Sequence, residues 1–126
     1  MKSPVKNQVG AIFIHVKDMN RAIDFYSQLL GHPKKETAHE GMIYDLPVSG
    51  GSGIILDANK GVVAKQDAKP LFFFDTNDIY QSYDYVKSLN AEIFSEIEEH
   101  GDISFFNFRD SEGNLLMICE DKRKIQ

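Results

Sequence analysis

The chain carries a single cysteine, Cys119, among 126 residues. One thiol excludes an internal disulfide and suits a reducing compartment, so the expected location is cytoplasmic. Basic residues are also scarce, with 14 Lys and Arg against 19 Asp and Glu and a net charge of −5. Nucleic acid is therefore not an expected partner, because phosphate binding needs a basic surface. The clusters Lys34-Lys35 and Lys122-Arg123-Lys124 read as solvated surface. Long apolar runs are missing. Leu71 to Phe74 is strand-sized and far short of a bilayer crossing, and Met1 to Lys6 lacks the apolar stretch of a signal peptide. With 42% hydrophobic and 26% charged residues the balance is that of a globular protein, and neither disorder nor a membrane is indicated.

What the chain does contain is an internal repeat. Asp18-Met19-Asn20-Arg21-Ala22-Ile23-Asp24-Phe25-Tyr26 returns as Asp78-Ile79-Tyr80-Gln81-Ser82-Tyr83-Asp84-Tyr85-Val86, with both aspartates and the apolar spacing kept. Each copy follows an apolar run, Ala11 to Val16 and Leu71 to Phe74, so the repeating unit is strand, turn, amphipathic helix and further strands. A chain of this length fits one domain, and either half alone would be marginal as a core. We expect a single domain over 1–126, with one module at about 7–60 and the other at about 68–121, sharing a sheet or packing face to face.

Periodicity places the elements. Val9 to Val16 is β-branched and apolar apart from His15, which predicts a mostly buried strand. Asp18 is a good N-cap, Met19, Ile23, Tyr26 and Leu30 recur at helical spacing, and Gly31 with Pro33 ends a helix over 19–30. Between 34 and 58 three short strands are expected, broken at His39-Glu40-Gly41 and at the loop 47–53, a flexible loop or lid. That loop, with Gly50-Gly51-Ser52-Gly53, is not a phosphate loop, since no Lys-Ser/Thr and no helix follow it. Lys60 to Lys69 reads as a polar connector. The second half predicts a strand over 70–75, a helix over 78–90, strands near 92–97, 102–109 and 114–120, and a tight turn at Asp110 to Asn114 with Gly113 at positive φ.

The Asp-started helix ending in Phe25-Tyr26 and Leu29-Leu30-Gly31, followed in the second half by Phe106-Asn107-Phe108-Arg109-Asp110-Ser111-Glu112-Gly113-Asn114, resembles the glyoxalase, bleomycin-resistance and extradiol dioxygenase superfamily, the vicinal oxygen chelate proteins. The resemblance spans nearly the whole chain. It implies an α+β fold of two tandem βαβββ modules forming a curled mixed sheet around a cleft, with helices on the outer face. It also implies a homodimer, with modules paired within one chain or swapped between two. It implies no single activity, because this fold hosts lyases, isomerases, dioxygenases, thiol transferases and simple binders.

Metal-dependent members of that superfamily place His, Glu or Gln at four cleft positions. Carried onto this sequence, those positions fall on Ala11, Leu71, Met117 and approximately Ile55, or Asp57 if the last placement slips by two residues. None of the four supplies the imidazole or carboxylate a divalent ion needs, so no metal and no other cofactor is expected. A displaced divalent site from His15, Asp57 and Asp75 is the alternative. Strand alternation then gives the cleft walls. Phe13 and His15 would face inward with Ala11, and Phe73 and Asp75 with Leu71, while Ile12, Ile14, Val16, Phe72 and Phe74 lie under the helices. Met117 and Cys119 would point in from the last strand, Phe105 and Asn107 from the one before it, and Tyr44 with Met42 would complete the first-half wall. Such a pocket suits a small organic ligand.

Two readings of His15 stand. Under the repeat it is equivalent to Asp75, so the two could meet as an acid-base pair, or His15 is a rim histidine with a local hydrogen bond. His32, His39 and His100 read as surface residues, Glu96 to Asp102 as a solvated acidic edge, and Cys119 as packing. The functional expectation is a metal-free protein holding an apolar or aromatic ligand in the inter-module cleft. The alternative is a lyase or isomerase of the same superfamily, using the displaced metal or the His15/Asp75 pair.

Overall fold

The computed structural model describes residues 2–35, 41–59 and 69–123. Most of the first of the three short strands expected between 34 and 58, the His39 assignment and most of the Lys60 to Lys69 connector lie outside the described residues.

The first half runs β1 (Ala11–His15), α1 (Met19–Leu30), β2 (Ile43–Leu46) and β3 (Gly53–Asp57). The second runs β4 (Phe73–Asp75), α2 (Ile79–Ser88), β5 (Glu92–His100), β6 (Ile103–Arg109) and β7 (Leu115–Asp121). Among the described residues these strands make two sheets, in the orders β1-β3-β2 and β4-β7-β6-β5. Pairing is mixed. The strand before each helix runs parallel to the last strand of its half, and the other pairs are antiparallel. The result is an α+β fold of two strand-helix-strand modules.

Local chemistry explains both helices. Asp18 accepts a hydrogen bond from the Arg21 N–H at 3.1 Å, and Asp78 accepts one from the Gln81 N–H at 3.0 Å, so each aspartate is an N-cap. Met19, Ala22, Ile23 and Tyr26 form one buried stripe on α1, which closes at Gly31 with φ 70°. The second helix stops at Ser88, short of the expected 90. Asn90 there turns to φ 63°, a left-handed residue that ends a helix without the glycine a sequence reader looks for. β1 starts two residues later than expected because its partner β3 begins only at Gly53, which pairs with Ala11 and leaves Val9 exposed. β5 extends past the expected 97 to His100, as an edge strand whose exposed positions take charge readily.

One hydrophobic core serves both modules. Ile14, Leu56 and Tyr44 from the first half join Phe106, Phe108 and Leu116 from the second, with the apolar stripes of both helices between them. α1 is shared outright. Its Phe25 lies 6.5 Å from Phe108 between ring centroids, and its Tyr26 hydroxyl donates to Asp110 Oδ2 at 2.5 Å. Residues on the helix side of both sheets thus share one packed cluster, and Phe13, Leu71 and Phe73 lie outside it. Among the described residues no helix is long and apolar enough to cross a membrane.

Candidate functional site

Strand registers define the helix-free faces of the two sheets. In the first module Phe13 lies opposite Ile55, and His15 opposite Asp57. In the second, Phe73 lies opposite Met117 and Asp75 opposite Cys119, with Asn107 and Phe105 next along from Met117 and Cys119. Phe13 precedes Asp18 by the same interval as Phe73 precedes Asp78, so Ile55 holds in its module the position Met117 holds in the other. Asp57 is the counterpart of Cys119, which removes the two-residue ambiguity in placing Ile55. The expected alternation is seen, with Ile14 and Val16 buried toward the helices and Phe13, Leu71 and Phe73 exposed by 54%, 54% and 47% on the other side.

Tyr44 is a correction. It pairs in register with Leu56, whose side chain faces the core, and is 2% exposed. It is core, not cleft wall, and its hydroxyl accepts from the Lys35 N–H at 3.1 Å. Met42 shares that parity, so the residues of β2 on the helix-free side are Ile43 and Asp45, opposite Asp57 and Ile55. The break at Gly41 shifted the alternation by one residue relative to the expected wall.

The metal alternatives also meet the geometry. Ala11, Ile55, Leu71 and Met117 offer no oxygen or nitrogen side-chain donor, so that set does not fit a divalent ion. Among the described residues no group of three His, Cys, Asp or Glu side chains is arranged to hold a metal, and His15, Asp57 and Asp75 do not converge. Among the described residues no hydrogen bond joins His15 to Asp75. β1 and β4 belong to different sheets, and the hydrogen-bonded ladders set His15 beside Asp57 and Asp75 beside Cys119.

Two polar atoms on these faces lack partners. Among the described residues, His15 Nδ1 and Asn107 Oδ1 are buried with no hydrogen-bond partner. Cys119 is 5% exposed, and burial followed by the nearby Asp121 and Asp75 carboxylates pushes its thiol up, which favours the inert protonated form. His100 is exposed but stacks on Phe105, with centroids 5.7 Å apart and rings 19° from parallel.

Two cavities lie at the junction of the modules. One of about 530 Å³ runs between the 48–52 loop, His32 and the Phe72-Phe73-Phe74-Asp75 segment, with Ile12, Leu30 and Ile54 on its floor. A second of about 370 Å³ lies between the end of α1, β4 and the face of α2 carrying Gln81, Ser82 and Tyr85. Phe73 and Asp75 line this space, whereas Phe13, His15 and the other expected wall residues do not. His32 and the glycine loop reach it too, although the sequence had assigned His32 to the surface.

The junction is held by a residue sequence reading passed over. Glu112, 8% exposed in the β6–β7 turn, accepts from the Lys17 and Asp18 N–H groups at 2.8 Å each and from Arg21 Nε at 2.7 Å. Burial pushes this carboxyl up, but Arg21, the two backbone N–H groups and Ser111 outweigh it and hold the pKa at about 2. Beside it Asn114 Nδ2 donates to the His15 carbonyl at 2.9 Å, so the second module's turn clasps the end of β1.

The model of the Glyoxalase/Bleomycin resistance protein/Dioxygenase superfamily matches residues 8–118. The chain belongs to this superfamily. Among curated relatives, the uncharacterized protein YurT of Bacillus subtilis (strain 168) is 27% identical, with 92% of this chain and 99% of YurT aligned. Among solved structures, a glyoxalase/dioxygenase from Nostoc punctiforme superposes with a TM-score of 0.74 at 16% identity, over 98% of this chain and 99% of that one. A glyoxalase/bleomycin resistance protein/dioxygenase from Alicyclobacillus acidocaldarius gives 0.66 at 18% identity, over 98% and 96%. At such identities the likeness to the two structures is one of fold, and superfamily membership leaves the activity open.

Proposed function

We propose that this superfamily member binds a small, apolar or aromatic organic molecule between its two modules without a metal ion, and that it works as a homodimer. The observation that carries the reading is the cavity of about 530 Å³ at the module junction, lined by aromatic and aliphatic side chains on one hand and by His32, Ser49, Ser52 and Asp75 on the other. Its size and chemistry are those of small-molecule sites. Support for the metal-free part is the donor chemistry at Ala11, Ile55, Leu71 and Met117. Support for the dimer is the half exposure of the apolar side chains Phe13 and Leu71, which lie outside the core.

The test combines elemental analysis with a ligand screen. Protein prepared without chelator and then offered Mn, Fe, Ni and Zn is expected to retain no stoichiometric ion, and hydrophobic ligands are expected to raise Tm saturably without turnover. About one tightly held ion per chain would overturn the metal-free reading.

A second reading rests on His15. Its unpartnered Nδ1, beside Asp57 in register, is what a general base in a lyase or isomerase would present. If an activity is found, His15→Ala should abolish it. Turnover unchanged in that variant would dispose of the catalytic role.

A further inference from the structure

The two junction cavities share Leu30, Phe74 and Asp75 on their walls, so they adjoin where Asp75 brings a carboxylate, and the adjoining pair is called the groove. Aromatic surface flanks that carboxylate on both sides, from Phe72 and Phe73 toward the glycine loop and from Tyr85 toward α2. Neither cavity is lined by a Lys or Arg, and the remaining formal charge on the walls is Asp78, already occupied as a helix cap. Among the described residues no ion pair engages Asp75.

We infer that this groove takes a hydrophobic organic cation, an aromatic ammonium whose charge rests against Asp75 and whose ring lies on Phe74 and Leu30. The inference builds on the small-molecule reading above and specifies the ligand's charge. A ligand filling the groove displaces water from Asp75. A neutral ligand would leave a partly desolvated carboxylate uncompensated, and an anion would meet repulsion with no Lys or Arg on the walls, only the His32 imidazole, to offset it. A cation replaces the lost water with a charge-assisted hydrogen bond, and the aromatic walls add attraction between the cation and their π faces.

The test uses three probes of one shape on the full-length protein: naphthalen-2-ylmethylammonium, the neutral naphthalen-2-ylmethanol and anionic 2-naphthoate. Calorimetric titration is expected to rank the ammonium roughly fivefold or more above the alcohol, with the naphthoate weakest. That preference should shrink at high salt and vanish in Asp75→Asn, a near-isosteric change at an exposed position. Amide NMR shifts on ammonium binding should centre on residues 72–75 and the 48–52 loop. Equal affinity for ammonium and alcohol, an unchanged preference in Asp75→Asn, or shifts centred elsewhere would overturn the charge assignment while leaving small-molecule binding in place. Failure of all three probes to bind would overturn both.

Discussion

Glu112 is the residue on which the two modules most visibly depend. A single carboxylate satisfies two N–H groups at the entry to α1 and pairs with Arg21, although its partners stand more than ninety residues away in the chain. Glu112→Ala strands those N–H groups and should cost about 2 kcal/mol in urea unfolding. Its pKa of about 2 lies below the ordinary 4.5, so the native state binds its proton less readily than the unfolded chain. The stabilisation is therefore complete above about pH 4.5 and is lost as pH falls toward 2. Glu112→Gln should flatten the dependence of stability on pH in that window, and an unaltered slope would remove Glu112 from the account. Tyr26 is the second residue of this kind. Burial first, and then the Asp110 charge, push its phenol well above the usual range. Tyr26→Phe leaves Asp110 one donor short and should cost about 1–2 kcal/mol.

At the scale of elements, the helices were the most legible part of the sequence. Met19–Leu30 is the helix predicted, because an Asp cap, a 3.6-residue stripe and a terminal glycine all point the same way. Gly31→Ala places a Cβ at φ 70° and should cost about 1 kcal/mol by thermal unfolding. The faces of β1, β3, β4, β6 and β7 were also legible, since alternation fixes them once one residue is placed. Tyr44 was not, because one turn residue before β2 reverses parity and nothing local records it. Glu112 was hidden for a related reason. In Asp-Ser-Glu-Gly-Asn it looks like any turn residue, and its partners are supplied by the other module. The junction cavities share only two residues, Phe73 and Asp75, with the pocket wall expected from the sequence. Those two followed from the repeat, whereas His32 and the glycine loop arrive there only through the packing of modules that periodicity does not describe.

For the whole molecule, the exposed apolar side chains bear on assembly. Half-exposed Phe13 and Leu71 are costly to leave in water, and a second chain is the expected cover. Sedimentation should report a dimer, and Phe13→Asp with Leu71→Asp should shift it to monomer without unfolding, because neither side chain belongs to the core. A monomeric wild type would count against this assembly.

The shared core carries a consequence for the chain as a piece of heredity. If the two halves arose by copying one ancestral segment, they have since given up independence: the first leans on Glu112, Asp110 and Phe108 of the second, and the second on Phe25 and Tyr26 of the first. Cut between Asn59 and Lys69 and produced as separate polypeptides, neither half should fold alone. Mixed together, they should reassemble into the native particle, each acting as the other's template.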